Sequence, residues 1–157
     1  MQATITTDAP SGMQPPARLS LLWTFASLNY IYCDVLGLMD HDLLKQFLTG
    51  TVNGIGISHG FLFGAAVLVE IPMAMVLLSR FLTPTASRWA NLMAGSVMTV
   101  VQAGTLFVGG APTAYYVFFS VLEIACTAYI VRTAWTWRVA EPARTRHVRL
   151  PAEAEQA

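Results

Sequence analysis

Three acidic residues stand inside long apolar runs: Asp34, Glu70 and Glu123. An ionised carboxylate at the centre of a bilayer costs about 2.5–3.5 kcal/mol on insertion scales. The middle of these runs holds no lysine or arginine that could pair with them. Such acids must hold or share a proton, bind a cation, or line a wet cavity. Because burial and mutual repulsion both favour the neutral acid, we expect Glu70 or Glu123 to be protonated near neutral pH.

Polar side chains recur at helical spacing around each of these acids. Asp34 shares a face with Ser27 and Tyr30, and Glu70 shares one with His59 and Phe63. Because lipid does not accept such stripes, we expect them to converge inside a helix bundle. They predict a polar pocket that narrows inward from the extracytoplasmic side. Its candidate residues are Asp34, Glu70, Glu123, Gln102, His59, Tyr30 and Tyr116.

The pocket predicts a small, mostly apolar ligand, such as a quinone or an isoprenoid, hydrogen-bonded by Glu70 and Glu123. No motif demands catalysis or identifies a cofactor, so whether the protein is an enzyme stays open. The acids and histidines at positions 40–42 and 59 match no metal-ligand spacing, and we predict no metal site. Two alternatives remain: a proton- or cation-coupled transporter acting as an oligomer, and an assembly subunit of a membrane complex.

The composition places the chain in a membrane. Of its 157 residues, 55% are hydrophobic and 11% are charged, whereas soluble domains carry about 25% charged residues. We predict an all-α protein, a bundle of four transmembrane helices at about 19–38, 57–78, 90–108 and 114–135. This domain covers residues 18–137, between disordered cytoplasmic tails at 1–17 and 138–157. Asp42–Leu48 is predicted as a short interfacial helix in the first outer loop.

The distribution of basic residues predicts the orientation. The N-terminal flank, the second loop and the C-terminal flank carry eight arginines, against Lys45 alone on the other side. Both termini are therefore expected in the cytoplasm, in a bacterial inner membrane. Four tryptophans near the inner face fit an aromatic belt: Trp23, Trp89, Trp135 and Trp137. The bilayer is the expected partner, and nothing indicates nucleic acid. The GxxxG pair of Gly60 and Gly64 predicts a close helix contact, within the bundle or in a homo-oligomer.

Glu70 and Glu123 stand in similar stretches, LVEIPMAMVL and VLEIACTAYI. Two helical hairpins arranged as parallel repeats would produce this similarity. Chance similarity between apolar helices is the alternative.

Several stretches resemble a family of small, uncharacterised bacterial four-helix membrane proteins. The resemblance runs from Arg18 to Trp137 and is carried by YIYCDVLGLMD, GFLFGAAVLVEIPMAMVLLSR, RWANLMAG and YYVFFSVLEIACTAYIV. The second hairpin is more distantly similar to DoxX-like proteins, which place a glutamate midway along the second of four helices. Some of those associate with quinone-linked redox complexes. Where they continue with a glycine-rich run, this chain has IPMAM. The resemblance implies the four-helix architecture and leaves the activity open.

Overall fold

A computed structural model describes residues 14–108 and 111–137. The described chain is helical apart from one small hairpin. Its elements are α1 (Pro15–Met39), α2 (His41–Leu48), β1 (Thr51–Val52), β2 (Ile55–Gly56), α3 (His59–Phe81), α4 (Pro84–Thr105) and α5 (Ala114–Thr136). The all-α prediction is confirmed. Because α1 begins at Pro15, the last residues of the predicted N-terminal tail are helical. The predicted C-terminal tail and its arginines lie outside the described residues.

Three helices are long and apolar enough to cross a bilayer: α1, α3 and α5. Their 23–25 residues span about 35 Å at 1.5 Å per residue. The fourth predicted span corresponds to α4, which has 22 residues but is more polar and is not among these candidates. Ser87, Arg88 and Asn91 in its first two turns reduce its mean hydropathy.

The first connection contains both a predicted and an unpredicted element. The helix expected at Asp42–Leu48 is confirmed as α2, one residue longer. Asp40 caps it, because its carboxylate accepts hydrogen bonds from the backbone N–H groups of Asp42 and Leu43 at 3.0 and 3.2 Å. The hairpin of β1 and β2 was not predicted. Asn53 and Gly54 form its turn with φ of 50° and 80°, as a two-residue Asn-Gly turn requires.

The four long helices pack most tightly at one end, which we call the closed end. This end contains the start of α1, the connection from α3 to α4 and the end of α5. Its fully buried side chains come from all four helices and include Leu19, Trp23, Ser79, Asn91 and Ile130. The opposite end, which carries α2 and the hairpin, is called the open end.

A hydrogen-bonded network joins three helices at the closed end. The Trp23 indole N–H donates to Asn91 Oδ1 at 2.7 Å, and the Ser79 hydroxyl donates to the same oxygen at 3.2 Å. Asn91 Nδ2 donates to the Ser87 carbonyl at 2.8 Å, and the Ser87 hydroxyl donates to the Ser79 carbonyl at 3.1 Å. The prediction that Trp23 belongs to an interfacial belt is therefore wrong, because its N–H has a partner in the core. Trp89 and Trp135 are exposed.

The half of α3 nearest the open end stands clear of the other helices. Every residue from Ser58 to Val67 is exposed, whereas Pro72, Met75 and Ser79 are buried. Pro72 lacks the N–H that would bond the Leu68 carbonyl, and such a position is where helices bend. All four long helices consequently pack together at the closed end, whereas α3 does not pack against the others at the open end.

Replacing Gly95 with alanine is expected to destabilise the bundle by about 1–3 kcal/mol, because overpacking forces the neighbouring side chains to move. A Cβ on Gly95 would lie 2.8 Å from Val131 Cγ2 and 3.4 Å from the Thr127 carbonyl oxygen. The measurement is thermal unfolding in detergent. Gly104→Ala is the matched control on the same helix. Its Cβ meets nothing within 4 Å, so equal losses at both glycines would contradict the close packing of α4 on α5.

Candidate functional site

Glu123 is the buried acid of the bundle. It lies nine residues after Ala114, about 13 Å along α5 from the open end. Its side chain is 1% exposed, and neither carboxyl oxygen has a hydrogen-bond partner among the described residues. Buried polar groups without partners are rare in native structures, and each needs an explanation such as an ion, a water or a functional role.

Tyr30 presents a second buried polar atom at a depth similar to that of this acid. It lies nine residues before the end of α1. Its hydroxyl is buried without a partner among the residues that the structure describes, and the side chain is within electrostatic range of Glu123. A carboxyl group and a phenol therefore lie at similar depth inside the bundle, and both can still form hydrogen bonds.

A cleft of about 210 Å³ lies between α1, α2 and α5 towards the open end. Its walls are mainly apolar or aromatic, and Asp34 is its one acidic side chain. The lining residues are Cys33, Asp34, Gly37, Leu38, Leu43, Phe47, Tyr115 and Tyr116. A neighbouring cleft of about 370 Å³ runs under α2 and the hairpin, and both share the two tyrosines and α2. Tyr116, one of the candidate residues from the sequence, lines both clefts.

Gly37 lets α2 form one wall of this cleft. A Cβ at Gly37 would lie 3.3 Å from Leu43 Cδ2 and 3.9 Å from the Tyr115 hydroxyl oxygen. The missing side chain therefore allows α2 and the start of α5 to pack on the end of α1. Helical periodicity gave no signal for Gly37 or Tyr115, because their role depends on how three elements meet.

Asp34 and Cys33 are cleft residues that lie in the neighbourhood of the buried acid. Both line the cleft, and both lie within electrostatic range of Glu123. Asp34 is exposed and nearer the open end than Glu123. The structure thus brings four of the predicted residues into one region: Tyr30, Asp34, Tyr116 and Glu123.

Gln102 lies in the same bundle but has a structural partner. Its side-chain N–H donates to the Ser120 hydroxyl at 2.9 Å, and both residues are buried. The Thr99 and Thr127 hydroxyl oxygens are 2.8 Å apart one turn nearer the closed end. These pairs hold α4 against α5, so the described contacts of Gln102 account for its burial.

Glu70 and His59 do not join this site. Both are exposed on α3, and Glu70 lies on the face opposite buried Pro72 and Met75. The expectation that Glu70 and Glu123 converge inside the bundle is therefore wrong for Glu70. Periodicity correctly places His59, Phe63 and Glu70 on one stripe, but that stripe faces away from the other helices. Phe63 is 73% exposed.

These observations define the class: a multi-pass membrane protein with three candidate spans. The chain belongs to DUF6326, a family of unknown function, whose profile matches residues 14–144. Comparisons with curated proteins and with solved structures find no match.

Proposed function

We propose that the protein binds a small lipophilic molecule, such as a quinone or an isoprenoid, through the carboxyl group of Glu123. The apolar cleft holds the hydrocarbon part, and the polar group of the ligand reaches Glu123 and the Tyr30 hydroxyl. One observation carries the proposal: both Glu123 oxygens and the Tyr30 hydroxyl are buried without a hydrogen-bond partner in the described part of the chain. A neutral carboxyl group both donates and accepts, so one ligand carbonyl or hydroxyl would complete it.

The proposal includes α4 as a fourth span. Its 22 residues measure about 33 Å, and its buried polar residues Ser87, Asn91 and Gln102 face protein partners. Polar groups satisfied inside a bundle do not contact lipid. The eight arginines then favour cytoplasmic termini in a bacterial inner membrane. The cleft accordingly opens to the outer side, with α2 lying on the membrane surface.

The shape of the cleft favours a quinone or isoprenoid over a polar solute. Leucine, phenylalanine, tyrosine and cysteine side chains form most of its wall, and ligand sites of this kind fix orientation with few polar groups.

Removing the Tyr30 hydroxyl is expected to weaken ligand binding about two- to twelvefold. A buried hydrogen bond contributes about 0.5–1.5 kcal/mol, and every 1.4 kcal/mol is tenfold in affinity. The measurement is the Kd of a menaquinone analogue and of a polyprenol for the protein in nanodiscs. Tyr30→Phe is compared with Tyr32→Phe, a control on the same helix whose side chain is 61% exposed.

Two results would count against this site. If neither the menaquinone analogue nor the polyprenol binds the natural protein, the proposed ligand classes are wrong. Equal Kd values for Tyr30→Phe and Tyr32→Phe would show that binding occurs away from the buried phenol.

Coupled transport is the second candidate, favoured by the succession of Asp34 and Glu123 from the open end inwards. A proton or cation could pass between two acids at different depths. The network of Trp23, Ser79 and Asn91 fills the closed end, which argues against a continuous path in this conformation. Flux in liposomes separates the candidates: substrate-driven proton movement lost in Glu123→Gln favours transport, and tight binding without flux favours the pocket.

A further inference from the structure

Glu70 is an exposed acid at the midpoint of a candidate span. It lies eleven residues from each end of α3, about 16 Å along the helix in either direction. Its side chain is exposed, and the nearest arginine on the helix, Arg80, is ten residues away. An acyl chain offers a carboxyl group no hydrogen-bond partner, and acids within spans face protein or water. The exposed position of Glu70 therefore indicates a missing neighbour.

The surface around Glu70 suits a second helix. Phe63, Met73 and Leu77 lie on its face at positions −7, +3 and +7, and they are 73%, 47% and 59% exposed. Ala66 and Ala74 stand one turn before and one turn after it. Small residues around a polar group let another helix approach closely enough to bond it. We call these six residues the Glu70 face.

The GxxxG pair on the flank of this surface is not used within the described chain. A Cβ on Gly64 would meet nothing within 4 Å, and one on Gly60 would meet only the nearby Ser58 hydroxyl at 3.8 Å. The GxxxG spacing predicts a helix contact either within the bundle or between protomers. Because neither glycine is in close contact within the described chain, the contact between protomers remains.

We propose that two copies of the protein pair through the Glu70 face, with their Glu70 carboxyl groups hydrogen-bonded to each other across a two-fold axis. Copies inserted with one topology have a two-fold axis along the membrane normal, and a residue near such an axis meets itself. The second copy thus necessarily brings a carboxyl group to the required depth. A neutral carboxyl is donor and acceptor at once, so each O–H donates to the C=O of the other copy.

The test measures dimerisation of the full chain in lipid vesicles by single-molecule photobleaching over a range of protein densities. Glu70→Leu is expected to weaken the dimer about tenfold, because it removes the hydrogen bonds between the two α3 helices. Glu70→Gln should stay within about threefold of the natural protein, because an amide also donates and accepts. A natural protein that remains monomeric, or a dimer unaffected by Glu70→Leu, would overturn the proposal.

Cross-linking locates the interface independently. With a short bis-maleimide, Phe63→Cys is expected to yield dimers, and Val121→Cys, exposed on α5, is expected to remain at the background of the natural protein, whose two cysteines are buried. Equal cross-linking at both positions, or a different protein held stoichiometrically at Phe63→Cys, would overturn the pairing of two copies.

Different variants test the proposed dimer and the proposed ligand site, so one proposal can be wrong while the other holds. Glu123→Met should lose ligand and keep the dimer, and Glu70→Leu should lose the dimer while the chain retains its buried carboxyl.

Discussion

Glu123→Met is expected to yield a ligand-free protein that is more stable than the natural one by about 1–3 kcal/mol. That range is the cost of burying a polar group without a partner, and methionine fills similar space without polar oxygens. The same substitution is expected to abolish ligand binding. Gain of stability with loss of function is the usual signature of a residue kept for its site.

The measurement is thermal unfolding of natural and variant protein in detergent after ligand is stripped, because a bound ligand stabilises only the protein that holds it. Gln102→Met is the matched control. Its amide has a partner in Ser120, so this variant should lose stability. A ligand-free Glu123→Met protein less stable than the natural one would mean that the carboxyl has a structural partner after all.

Asn91→Leu is expected to have the opposite effect, a loss of about 2–4 kcal/mol. The substitution removes the acceptor of the Trp23 N–H and the Ser79 hydroxyl, both buried, and each orphaned donor costs about 1–3 kcal/mol. The network joins α1, α3 and α4, so its loss should loosen the closed end as a unit.

Unfolding of Asn91→Leu is best compared with that of Asn29→Leu. Asn29 is also buried, and within the described residues its amide N–H donates to the Phe25 carbonyl of its own helix, at 2.9 Å. We expect Asn29→Leu to change stability by less than about 1 kcal/mol. Similar losses for both variants would show that the cross-helix network adds nothing beyond local bonding.

Together these pairs distinguish two kinds of buried polar residue in one bundle. At the closed end, the polar side chains satisfy one another and fix the helices. Glu123 and Tyr30 have no hydrogen-bond partner among residues 14–108 and 111–137, and the apolar cleft lies between their depth and the open end. Polar networks are stabilising when complete and costly when partial. A ligand that forms the missing hydrogen bonds of Glu123 and Tyr30 would therefore stabilise the bundle most.

The sequence predicted the helices better than their packing. Length and apolarity predicted α1, α3 and α5, and the Asp40 cap with the apolar positions that follow predicted α2. The Asn53-Gly54 dipeptide by itself indicates a turn, because this pair favours tight hairpins. The strands beside it have two residues each, too few to show an alternating pattern.

Glu70 and Glu123 show what periodicity cannot decide in a membrane. Both stand in similar stretches and on clear polar stripes, yet one is exposed and the other buried. In a soluble helix, the apolar face marks the core. Outside these stripes, helices α3 and α5 carry apolar side chains on all sides, since lipid and core are equally apolar solvents. The packed face is then set by small residues such as Gly95 and by neighbours distant in sequence, which periodicity does not report.

Native mass spectrometry of the protein isolated from its own membrane tests the Glu123 site most directly. The natural protein should retain one lipophilic molecule with a polar group per chain, and Glu123→Met, prepared identically, should retain none. Equal retention by both proteins, or ordinary phospholipid alone on both, would contradict a ligand site at Glu123.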